Sequence, residues 1–77
     1  MTVAWTVKDS AGQLRTDVLC TSRQEVGRRI VPGRYDPFRL QVSPSYRAMF
    51  ERAVDQVLRR EGWSIVRTRA PRDQVLA

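Results

Sequence analysis

The chain contains no histidine, so the side chain that most often serves as a general base near neutral pH is missing. No Ser/His or Cys/His couple can be assembled without it. Cys20 is the only cysteine, which excludes an intramolecular disulfide and a cysteine-based zinc cluster. A lone thiol of this kind suits the cytosol. No apolar run approaches the roughly 20 residues that a membrane helix needs, and MTVAWTVKDS lacks the charged and apolar regions of a signal peptide. The four glycines, Gly12, Gly27, Gly33 and Gly62, are too scattered to form a phosphate-cradling loop. The eight acidic residues are spread out, and most have an arginine within four positions, so no metal cage or cofactor is expected. These absences together point away from an enzyme.

Lysine is also nearly missing. Lys8 is the only one, and the other basic residues are all arginine. Guanidinium groups keep their charge and match phosphate and carboxylate geometry. A GC-rich genome is the plainer account of the same bias. The 14 basic and 8 acidic residues leave a net charge of +6.

At 77 residues this is one domain, expected over residues 1–70 with a frayed tail over 71–77. Val75 and Leu76 in that tail are apolar enough to dock on an edge. A chain of this size buries only about 60% of its unfolded surface, so each large apolar residue matters. The composition, 42% hydrophobic and 29% charged, is that of a folded globular domain.

The clearest local signal is SPSYRAMFERAVDQVLRREG, residues 43–62. Tyr46, Met49, Phe50, Ala53, Val54, Val57 and Leu58 fall on one stripe of a 3.6-residue helix. Ser43 is a good N-cap, Pro44 fits the first helical position, and Gly62 supplies a left-handed stop after Arg59 and Arg60. Arg47 with Glu51, and Asp55 with Arg59, are spaced to pair on the solvated face.

Elsewhere, Thr2 to Lys8 alternates as a half-buried strand. Asp9-Ser10-Ala11-Gly12 is turn chemistry, and Leu14 to Cys20 alternates again, which predicts a β-hairpin. Ser22 and Glu25 have capping-box spacing and open a short helix to about Ile30. Gly27 weakens that helix by about 1 kcal/mol relative to alanine. Pro32-Gly33 ends it, and Arg34 and Tyr35 stand at the tip of the following loop. Phe38, Leu40 and Val42 alternate with Arg39, Gln41 and Ser43, which predicts a third strand. Trp63 to Arg69 gives a fourth, with Trp63 and Ile65 on the favoured inner face. The predicted class is α+β in the order ββαβαβ: a four-stranded mixed sheet with the long helix across one face. Strands three and four would be parallel, joined by a right-handed crossover.

The charge is uneven along this layout. Residues 1–20 cancel, and the long helix spends most of its charge internally. Arg28, Arg29, Arg34, Arg39, Arg67 and Arg69 remain, with Tyr35 beside them as an aromatic able to stack on a base. On the predicted sheet Arg39, Arg67 and Arg69 approach one another. Gathered on one face, these arginines would attract phosphates or an acidic protein surface. The partner expected is nucleic acid or an acidic protein or nucleoprotein surface, with no membrane contact and an exposed sheet edge open to homodimerisation. No RRM element order, KH GxxG loop or helix-turn-helix spacing is present.

A single small α+β domain with no catalytic set and a charge-biased surface resembles the small proteins of bacteriophages and other mobile elements. Among these, the anti-CRISPR proteins are similar in size and organisation. The resemblance implies a stoichiometric inhibitor that docks on a Cas complex and blocks DNA access or cleavage. The charge of +6 departs from the acidic DNA mimics among them, so a basic member would grip an acidic protein surface or the nucleic acid itself.

Overall fold

The structure is a computed structural model and describes residues 1–75. Its elements are β1 (Thr2–Lys8), α1 (Arg23–Ile30), α2 (Pro37–Val42), α3 (Pro44–Glu61) and β2 (Ser64–Ala70), with 3-10 turns at Thr16–Val18 and Arg72–Gln74. The α+β class holds, but the sheet has two strands instead of four. β1 and β2 pair antiparallel, with Thr2 opposite Ala70 and Lys8 opposite Ser64. There is no parallel strand pair and no crossover among the described residues.

The long helix forms as its local signals require. The Ser43 Oγ accepts from the Tyr46 amide at 3.2 Å. Gly62 takes φ 72°, and its N–H donates to the Leu58 carbonyl. Phe50, Val54 and Val57 are buried, whereas Met49 at the margin of the stripe is 47% exposed. Arg47 does not pair with Glu51. It turns back and donates to the carbonyl oxygens of Leu40 at 3.0 Å and Gln41 at 3.4 Å, which the end of α2 leaves unsatisfied. The Asp55–Arg59 pair is likewise not among the ion pairs of the described residues, which are Arg15–Asp17, Arg28–Glu25 and Arg60–Glu61.

The predicted third strand is the helix α2. Asp36 caps it by accepting from the Phe38 amide at 2.9 Å, and Pro37 occupies the first turn. Only Leu40 of the three apolar residues is buried; Phe38 and Val42 are 67% and 58% exposed. Ser43 closes α2 by donating its N–H to the Arg39 carbonyl at 2.9 Å and opens α3 with its hydroxyl. The two helices therefore meet at a single shared residue.

The predicted hairpin forms only in part. The return arm bridges β1 at Lys8–Leu14 and again at Trp5–Cys20. Between those bridges β1 advances three residues and the arm advances six. The surplus is taken up by the 3-10 turn at Thr16–Val18, which breaks the ladder as a bulge does. The Thr6 hydroxyl, fully buried, donates to the Arg15 carbonyl at this break. The Arg15 guanidinium lies 4.9 Å from the centre of the Trp63 ring, and its hydrogen bond holds the Asp17 carboxyl below the usual carboxylate range.

Helix α1 starts on Ser22, whose Oγ accepts from the Glu25 amide at 3.2 Å. Glu25 does not complete the capping box. Its carboxylate goes to Arg28 at 2.7 Å. The core lies between these helices and the inner face of the ribbon, and joins Val31, Leu40, Phe50, Val54 and Val57 to a second cluster of Val7, Val18, Cys20 and Val26 through Ile30, Trp63 and Ile65. On the outer face, Ala4, Leu19 and Ala70 pack with Val75. Leu76, read alongside Val75 as a docking residue, lies outside the described residues.

Gly27 has a packing role that its helix propensity does not show. A Cβ there would lie 2.9 Å from Phe50 Cζ and 3.0 Å from Val54 Cγ2, so α1 and α3 meet closely at this point. Alanine would gain about 1 kcal/mol of helix propensity. It would also overpack the buried seam, at a typical cost of about 1–3 kcal/mol. Gly27→Ala is therefore expected to lose about 1 kcal/mol net and to lower Tm by about 4–8 °C in a circular-dichroism melt. A raised Tm would show that the seam has room.

Candidate nucleic-acid interface

The loop from Val31 to Asp36 turns the chain from α1 to α2 and gathers side chains from three helices around it. Arg28 comes from the last turn of α1, Arg34 and Tyr35 from the loop, Arg39 from α2 and Tyr46 from α3. Together with Gly33 and Asp36 they line an open groove of about 600 Å³.

The aromatic rings form one side of the groove. Tyr35 is half-buried and meets Phe50 edge-on at 5.0 Å and Tyr46 at 5.7 Å. The Tyr46 hydroxyl accepts from the Asp36 amide at 2.9 Å. The Arg39 guanidinium carbon lies over the Tyr46 ring at 4.2 Å, a cation–π distance.

The guanidinium groups differ in how far they are committed. Arg28 pairs with Glu25 and also donates from Nε to the Tyr35 carbonyl at 3.1 Å. It holds the loop in place, and its charge is largely balanced. Arg34 and Arg39 are exposed, and no ion pair of the described residues includes either. The one carboxylate lining the groove, that of Asp36, is engaged on the α2 amide. The groove therefore offers two uncommitted cations beside two tyrosines. No protein-family model, curated protein or solved structure matches this chain.

The seven residues singled out from the sequence separate into distinct places. Arg28, Arg34, Tyr35 and Arg39 share the groove. Arg29 sits with Glu25 and Arg28 at a shallow depression on α1. Arg67 and Arg69 lie on β2 beside Val3 and Thr68. The expected approach of Arg39 to Arg67 and Arg69 across a sheet does not occur, because Arg39 is helical and β2 pairs with β1.

Apart from the loop glycine Gly33, two residues of the groove, Asp36 and Tyr46, have no functional reading in the sequence. Asp36-Pro37 repeats the cap-then-proline signal of Ser43-Pro44 and marks a helix start. Tyr46 belongs to the apolar stripe of α3, and its place at the first turn is what brings its hydroxyl out to the loop.

Cys20 is fully buried among Val7, Val18 and Val26. Burial pushes its thiol pKa up, an effect that Arg29 opposes without overcoming. Among the described residues no three metal-ligating side chains cluster, and no helix is long and apolar enough to cross a membrane.

Proposed function

We propose that the protein is a small non-enzymatic binding module whose Arg34–Arg39 groove engages the phosphates of nucleic acid, free or within a nucleoprotein complex. The observation that carries this reading is the pair of uncommitted guanidinium groups beside Tyr35 and Tyr46. Arg39 would hold one phosphate and Arg34 a neighbouring one, with Arg28 fixing the loop between them. The exposed edges of the tyrosines give a base or sugar an apolar surface to rest against. The sheet-borne Arg67 and Arg69 are not needed for this contact.

Phosphate neutralisation releases counterions, so affinity falls steeply with salt. A fluorescence-anisotropy titration of a labelled oligonucleotide at several salt concentrations is the direct test. Arg34→Ala and Arg39→Ala are each expected to weaken binding across all sequences and to reduce the salt slope by about 1. Salt-independent binding, or none at low salt, would overturn the reading.

A second reading is favoured by Phe38 and Val42. They stand one turn apart on α2, largely exposed, and flank Arg39 in sequence. An apolar pair beside a cation suits a protein surface, as the inhibitor-type resemblance implies. Under this reading the oligonucleotide titration shows nothing, while a host complex captured after nuclease treatment is lost with Phe38→Ser.

A further inference from the structure

β1 is hydrogen-bonded on both sides, and β2 on one. The Trp5 amide and carbonyl both bond Cys20, at 2.9 Å each, and the Val7 carbonyl accepts from the Arg15 amide at 2.8 Å. Trp5 and Val7 thus turn their backbone groups away from β2. In an antiparallel ladder such residues belong to non-hydrogen-bonded pairs, and so do their partners. The partners are Arg67 and Ile65, and the same alternation extends to Val3 and Arg69. The N–H and C=O groups of Ile65, Arg67 and Arg69 therefore point outward along the free edge of β2. No backbone bond among the described residues reaches them from that side.

The side chains of these three residues share one face of the ribbon. Arg67 and Arg69 have no carboxylate partner among the described ion pairs. Next to Ile65 lies a cavity of about 220 Å³, lined by Gly27, Phe50 and Val54 with Arg23, Glu51 and Asp55 among the polar residues around it. It takes one residue from β2 and none from β1 or the return arm, so it lies on the open side.

We propose that this edge accepts an extended acidic segment of a partner protein as an added antiparallel strand. Its pattern is Asp/Glu-x-Asp/Glu-x-apolar: the two carboxylates stand opposite Arg69 and then Arg67, and the apolar side chain stands opposite Ile65 and enters the cavity. Main-chain bonds to the three outward residues give affinity, and alternate side chains give specificity. A second copy of this chain fits poorly. The register of full overlap between two β2 strands sets Arg67 against its own counterpart, and like charges directly opposite are destabilising. This edge is separate from the Arg34–Arg39 groove and does not depend on it.

The test uses the full chain, labelled with nitrogen-15, and a nine-residue peptide with the core Glu-Thr-Glu-Thr-Leu. Amide hydrogen exchange at Ile65, Arg67 and Arg69 is expected to slow on peptide addition, while Val66 and Thr68, already bonded to β1, stay as they are. A peptide with lysine for both glutamates should bind about tenfold more weakly, the combined effect of two cross-strand charge pairs. In the exposed double variant Arg67→Glu/Arg69→Glu that preference should invert. Unchanged exchange at the three amides, or equal binding of the acidic and basic peptides, would overturn the proposal. So would concentration-dependent protection without peptide, which would assign the edge to a second copy.

Discussion

Phe50→Ala is expected to cost about 3–5 kcal/mol, the range for emptying a buried phenylalanine site. Phe50 is 3% exposed and stands where α1, α3 and the loop meet: its ring touches the seam at Gly27 and receives the edge of Tyr35 at 5.0 Å. A domain of this length has a total stability of about 4–12 kcal/mol at typical per-residue values. The variant should therefore lose most of its margin, with a urea midpoint shifted far toward zero or no cooperative transition at 37 °C. An unchanged midpoint would mean that α3 does not face the core through this residue. Because Tyr35 leans on Phe50, the groove should loosen together with the core.

Leu40→Ala is expected to cost about 2–5 kcal/mol, while Phe38→Ser and Val42→Ser should each stay within about 0.5 kcal/mol of the parent. This contrast decides between the two shapes that the segment's sequence allows. In a strand, Phe38, Leu40 and Val42 would share one buried face and all three changes would hurt. In α2 the first and last project to solvent and only Leu40 enters the core with Val31, Phe50 and Val57. Chemical denaturation of the three single variants separates the alternatives, and equal losses at all three would restore the strand.

That segment also shows where reading the sequence succeeds and where it stops. The long helix carried agreeing signals: a capping serine, a proline in the first turn, a sustained apolar stripe and a terminal glycine. The spacing of Phe38, Leu40 and Val42 fits a strand's alternation, and 38 and 42 equally fit one turn of a helix. Six residues are too few for periodicity to choose, and the cap at Asp36-Pro37 was the deciding feature. Cys20 and Leu14 do return to β1, but no local pattern announces the three-residue surplus that breaks the ladder between them. The pairing of β1 with β2 joins the two ends of the domain and depends on how the helices pack in between. The groove was partly legible for the same reason in reverse: Arg28, Arg34, Tyr35 and Arg39 lie within twelve consecutive positions and one turn of chain gathers them. Arg67 and Arg69 would join the same patch only through a sheet that does not form.

Ser43 belongs to both α2 and α3, fixing the Arg39 carbonyl with its amide and the Tyr46 amide with its hydroxyl. The arginine and the ring beneath it are thereby held to each other through a common backbone pivot, with no linker to slacken the pair. Ordering a long side chain on association commonly costs about 0.5–1.5 kcal/mol. On the phosphate-binding reading proposed above, an arriving anion would meet a guanidinium already resting on the Tyr46 ring, and Ser43, which would touch no ligand itself, would help set how tightly one is held.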